Sequence, residues 1–227
     1  IAEAYYSKIP LIIISADRPK HLIDIGDGQT IRQENVFKNH ILFEANLKDD
    51  SSVKLQNMQL ISEALHVVHS MSGPVHINVP FDEPLYETTT SLKTFNFPKI
   101  NLKEDAVETN YQSLAQLWNA SDKKMILIGV QDANKTLQSL IQDFAKDKSV
   151  LILTETTSNI HHENVVNAID QLIFSLDDTE FEAFKPDVLI TFGGMLISKR
   201  IKQFLRKYPP KHHWDIDAHH PVDTFFC

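Results

Sequence analysis

Leu11-Ile12-Ile13-Ile14-Ser15-Ala16 runs unbroken between Pro10 and Asp17-Arg18-Pro19. A continuous aliphatic stretch closed at both ends by proline-bearing turns is the pattern of a parallel strand covered on both faces. A second stretch of this kind, Val75-His76-Ile77-Asn78-Val79-Pro80, follows the stop signal Gly73-Pro74. Between them Asp50-Ser51-Ser52 offers N-caps to a long helix, on which Met58, Ile61, Leu65 and Val68 recur along one face. Strand, helix and strand with a helical-length crossover specify parallel α/β architecture. Ile1 to Lys8 reads as the tail of a helix, and His40 to Leu47 as a further strand.

From about Tyr86 to Glu104 the periodicity disappears, and Thr88 to Thr90, Pro98 and scattered charges read as a connection between domains. The alternation then returns. Tyr111 to Trp118 is helical, Lys124 to Ile128 a strand, and Gly129 a turn. Leu137, Leu140, Ile141 and Phe144 form a helix face, and Val150 to Leu153 is a strand. A less regular stretch passes His161-His162. Asp187 to Phe192 is a strand that enters Gly193-Gly194 before a helix with Ile197, Ile201, Phe204 and Leu205 inside. His213 to Asp217 closes the series. This half reads as a Rossmann-like doubly wound domain. The expected organisation is therefore a partial α/β domain over 1–87, a linker over 88–106, and a Rossmann-like domain over 107–227.

At roughly 150 residues per domain, 227 residues make about one and a half domains. With Ile1 in place of an initiating Met, the chain is expected to be cut from a longer one. Thirty Asp and Glu against 22 Lys and Arg leave a formal charge of -8, which argues against non-specific nucleic-acid binding. Positive charge, where it matters, must then be gathered locally. Cys227 is the only cysteine, so no internal disulfide is possible and a cytoplasmic location is expected. The longest apolar run, Ile9 to Ala16, is too short to span a bilayer.

Two places put cations at the carboxyl ends of expected parallel strands, where open α/β sheets bind ligands. At the first, the Arg18 guanidinium could grip a carboxylate through two parallel hydrogen bonds, or merely pair with Asp17 or Asp24. At the second, Gly193-Gly194 would let backbone N–H groups approach an anion at a helix N-terminus, with Lys199 and Arg200 beside it. The plain alternative there is a solvated helix face. Lys211 to His220 holds several potential metal ligands, and a strand would send His213, Asp215 and Asp217 to one face. No zinc spacing completes them, so no metal site is expected. Gly129 and Gly193-Gly194 fall short of a dinucleotide fingerprint.

Ile14-Ser15-Ala16-Asp17-Arg18-Pro19, continuing to Gly26-Asp27-Gly28-Gln29-Thr30-Ile31-Arg32-Gln33, resembles the ISADRP…GAxQxIxQ signature of the menaquinone-biosynthesis SEPHCHC synthase (MenD) family. Gly73 to Leu85 is similar to the same family's G-V-H-I-N-x-P-F-x-E-P-L segment, and Ser198-Lys199-Arg200 to a Gly-Lys-Arg of its central domain. The resemblance implies a longer transferase that uses thiamine diphosphate and Mg2+. That enzyme decarboxylates 2-oxoglutarate and adds the succinyl unit to isochorismate. It implies that 1–87 is the C-terminal half of a pyrimidine-binding domain and 107–227 most of the central domain. No catalytic or metal-binding residue would lie in this chain, which alone would bind no cofactor and be inactive. Arg18, Gln29, Lys199 and Arg200 would bind the dicarboxylate substrates, and the intact enzyme would be a homodimer or homotetramer. Gly26-Asp27-Gly28 has the form of a metal turn of thiamine-diphosphate enzymes, but only a lone Asn57 follows where an Asn-Asn is needed, so it is rejected. Gly28 also departs from the Asn or Pro that relatives often place before the Gln. The reading that competes with the family is a free-standing nucleotide- or anion-binding Rossmann-like module; an oligomerisation scaffold is a third.

Overall fold

Every strand pairing among the described residues is parallel. The computed structural model describes residues 1–26, 28, 30–82, 88, 90, 94, 109–217 and 223–227. The chain divides into two compact units, Ile1–Asp105 and Ala106–Cys227. The expected linker over 88–106 lies almost wholly outside the described residues.

The first unit contains helix α1 (Ala2–Tyr6), strand β1 (Leu11–Asp17), strand β2 (Phe43–Asn46), helix α2 (Lys54–Ser70) and strand β3 (Pro74–Pro80). The sheet order is β1-β3-β2, which places β3 at the centre. The expected cap is present: the Asp50 carboxylate accepts the Ser52 N–H at 2.8 Å and heads a 3-10 turn that runs into α2. The expected inner face of α2 is only partly the observed one. Ala64 and Val68 are buried, with Leu60 and Val67 beside them, against Ala45, Val75 and Ile77. Leu65 is exposed, and Met58 and Ile61 are only half-buried. Small Ala64 and Ser62 are buried, so apolar spacing alone picked a partly neighbouring stripe.

Nor is β1 covered on both faces. Ile12 and Ile14 share a face with their register partners Val75 and Ile77. Helix α2 packs chiefly over β3 and β2 on that face and only touches β1, and Ile14 remains 69% exposed. The other face carries Ser15, Asp17, His76, Asn78, Glu44 and Asn46 in adjacent rows.

The second unit holds α3 (Tyr111–Ala120), β4 (Lys124–Ile128), α4 (Lys135–Phe144), β5 (Val150–Thr154), β6 (Val165–Val166), α5 (Ile169–Ile173), α6 (Asp178–Phe184), β7 (Val188–Phe192), α7 (Lys199–Lys207) and β8 (His212–Ile216). Its five-stranded sheet has the order β6-β5-β4-β7-β8. Alternate residues of the central strand feed two cores. Met125 and Leu127 pack with Ile201, Phe204 and Leu205 of α7, while Ile126 and Ile128 pack with Ile141 of α4. A parallel sheet with helices on both faces is the doubly wound arrangement expected from the sequence. Ile197 departs from its expected place: it precedes the N-cap Ser198 and is exposed. No helix among the described residues is long and apolar enough to cross a membrane.

Candidate functional site

A cavity of about 850 Å³ opens at the carboxyl ends of β1, β3 and β2. Arg18 reaches it from the turn after β1, where Pro19 stops the strand. The cavity is not a pool of positive charge. Among the described residues Arg18, Lys20, Arg32 and Lys48 line it, but so do Asp17, Asp24, Glu34 and Asp49. Arg32 is tied to Asp24 at 2.9 Å, so that acid has a partner other than Arg18. Gln29 lies outside the described residues. Gln33, which the reading of the sequence passed over, donates to the Ala16 carbonyl at 2.7 Å and to the Asp17 carboxylate at 3.3 Å.

Beneath the cavity a chain of polar side chains crosses all three strands. The Glu44 carboxylate meets His76 Nδ1 at 3.0 Å, and His76 Nε2 meets Ser15 Oγ at 2.6 Å. Ser15 donates to Asn78 Oδ1 at 3.2 Å, and Asn78 Nδ2 donates to Asp17 at 2.8 Å. The far end is the cavity wall, where Asp17 also accepts the backbone N–H of Arg18 at 2.8 Å. His76 is fully buried, with Phe37 edge-on to its ring at 5.0 Å. Burial opposes the charge on Glu44, but hydrogen bonds from Asn46, His76 and the Asn35 backbone hold its carboxyl below the ordinary value. Buried polar groups need partners. That rule was the available signal: polar His76 and Asn78 alternate with Val75, Ile77 and Val79 in a central strand.

The region around Lys199 and Arg200 is built differently from expectation. A Cβ on Gly129 would lie 2.1 Å from the Gly194 carbonyl oxygen, and Gly193 takes a φ of +84°. These glycines therefore let two strand ends touch each other. The Gly194 N–H already donates to the Val130 carbonyl at 2.6 Å. The anion at the start of α7 is internal: the Glu155 carboxylate accepts the Ile197 N–H at 2.8 Å and the Ser198 N–H at 2.6 Å. This removes the support for a free-standing anion-binding module at that helix end. Lys199 and Arg200 are exposed, and the Arg200 guanidinium lies over the Phe174 ring at 4.6 Å. Arg18 belongs to the first unit and the Lys199–Arg200 pair to the second.

Residues 97–223 match a family model described as "Middle domain of thiamine pyrophosphate", over more than half of the chain. The chain belongs to that family. It is also 54% identical, over 99% of its length, to the 2-succinyl-5-enolpyruvyl-6-hydroxy-3-cyclohexene-1-carboxylate synthase of Flavobacterium johnsoniae. Identity is 50% over 99% of the chain to the synthase of Flavobacterium psychrophilum, and 47% over the whole chain to that of Christiangramia forsetii. The resemblance carried by the two sequence signatures is thus borne out. The chain covers 41%, 40% and 43% of these three relatives, so it spans about two-fifths of their length.

Thiamine diphosphate needs a seat for its diphosphate and a divalent ion. The described residues do not assemble one: the most suitable helix start, that of α7, is filled by Glu155, and the cavity beside Arg18 is walled by carboxylates. The described residues by themselves therefore do not fit the group.

Proposed function

We propose that the chain is the substrate-gripping part of a longer thiamine diphosphate-dependent carboligase. That enzyme, with Mg2+, decarboxylates 2-oxoglutarate and adds the succinyl unit to isochorismate. In this reading 1–87 is the C-terminal half of a pyrimidine-binding domain, 88–106 a linker and 107–227 the central domain. Arg18, Gln29, Lys199 and Arg200 bind the substrates' carboxylates, the chain alone is inactive, and the intact enzyme is a cytoplasmic homodimer or homotetramer. The observation that carries the reading is Arg18 at the mouth of a cavity of about 850 Å³, on a strand end fixed through Asp17. A guanidinium on a held backbone suits a planar carboxylate better than a flexible ammonium does.

In the intact enzyme Arg18→Ala should raise KM for a dicarboxylate about ten- to a hundred-fold, as expected for a charge-assisted hydrogen bond of roughly 1.5–3 kcal/mol. Arg18→Lys should recover only part of the loss. Wild-type KM in Arg18→Ala would remove Arg18 from the site.

A further inference from the structure

We propose that His213, Asp223 and Cys227 form a site for a single zinc ion in the second unit. One donor atom of each residue lies within 4.8 Å of the other two. These three donor types are the ones zinc uses, and three protein ligands with an open fourth position make a recognised site. Zinc–nitrogen and zinc–sulfur bonds of about 2.05 and 2.3 Å at a tetrahedral angle hold their donor atoms about 3.6 Å apart. Cys227 Sγ lies 3.6 Å from His213 Nδ1.

The second observation concerns which ring nitrogen is free to bind. Thr191 Oγ1 donates its proton to Asp215 at 2.6 Å, so at its 2.7 Å contact with His213 Nε2 it must accept. That places a proton on Nε2 and leaves the Nδ1 lone pair directed at Cys227. A carboxylate that orients a histidine from behind is the usual support of a metal ligand, here relayed by one hydroxyl. The other two ligands are also held. Asp223 Oδ1 accepts the N–H groups of Phe226 and Cys227 at 2.6 and 3.2 Å. Arg206 of α7 donates to the Thr224 carbonyl at 2.9 Å and lies over the Phe226 ring at 4.7 Å.

The Cys227 S–H that faces His213 Nδ1 at 3.6 Å must lose its proton to become a zinc ligand. Zinc takes the place of that proton, which leaves to solvent as the thiolate–zinc bond forms. The residues differ from the His213, Asp215 and Asp217 set that strand alternation suggests. Asp215 serves behind the histidine instead of on the ion.

The test is a titration of the 227-residue chain with cobalt(II), then displacement by zinc. Cys227 is the only cysteine in the chain, so a thiolate-to-cobalt charge-transfer band reports this site despite the 11 histidines. The expected result is a saturable band at one equivalent, abolished by Cys227→Ser and by zinc. Asp223→Asn and His213→Gln should weaken cobalt affinity at least ten-fold, and Thr191→Val should do so by about 10- to 100-fold. His212→Gln should leave it unchanged. Asp223 and Cys227 are exposed, so their variants keep the test open if Thr191→Val, at a buried position, fails to fold. Absence of the band overturns the site. So does a band that persists with unchanged affinity in Asp223→Asn, which would reduce the contact to an S–H···N hydrogen bond.

Discussion

At the residue scale, the first unit depends on His76 and the acid behind it. Glu44 and His76 are 32 positions apart and meet at 3.0 Å. A spacing argument sees neither as a pair, whereas Arg18 and Asp17 were legible because strand ends bind ligands wherever the sheet is parallel. Gln33 was missed for the same reason as Glu44: its partners, Ala16 and Asp17, are 17 and 16 positions away. The Glu44 carboxyl is held below its ordinary value of 4.5, so the folded state releases that proton more readily than the unfolded one. Its contribution to stability is then complete above 4.5 and disappears as the pH falls through the lower, folded value. Glu44→Gln, which cannot ionise, should be less stable than wild type at neutral pH and should lose less stability on acidification. Urea midpoints measured over a pH series would show the two curves converging at low pH. Parallel curves would mean that Glu44 is not the coupled acid.

At the element scale, strand and helix positions were largely legible, and the faces less so. The apolar periods of β4, β5, β7 and α7 fix those elements because each is buried on a sheet with helices on both sides. The stretch through His161-His162 reads as less regular, and β6, α5 and α6 beyond it went unassigned, because two to seven residues give too short a period. Glu155 was invisible as well, since its partner Ser198 is 43 positions on. It closes the N-terminus of α7 with charge-assisted bonds, the favourable end for an anion. Glu155→Ala should cost about 1.5–3 kcal/mol in chemical denaturation. The same variant should acquire a response that wild type lacks: inorganic phosphate should raise its melting temperature by occupying the vacated N–H groups. An equal response of both proteins to phosphate would show that Glu155 does not fill that seat.

At the scale of the whole molecule, the two units differ in how completely they cover their sheets. The second has two cores, one on each face of five strands, although Phe174, Met195, Ile197 and Ile216 stay exposed. The first has one helix on one face of three strands, and its two outer strands, β1 and β2, have no further strand beside them among the described residues. The aliphatic run that marks the fold was legible as a strand, but its coverage was not, because α2 packs chiefly against β3 and β2. Ile9, Ile12 and Ile14 are 50%, 41% and 69% exposed, and they adjoin the open edge of β1. An exposed apolar face beside an unpaired parallel edge favours pairing with another chain. The 227-residue chain should therefore self-associate in sedimentation velocity as its concentration rises, despite a formal charge of -8 that repels copies from one another. Ile12→Thr with Ile14→Thr keeps β-branched side chains suited to a strand while making the face polar. The double variant should shift the distribution towards monomer with an unchanged circular dichroism spectrum, and added salt should favour association in wild type by screening the repulsion. A variant that associates as strongly as wild type would place the contact elsewhere, because no other change of one face separates its apolar attraction from its strand propensity.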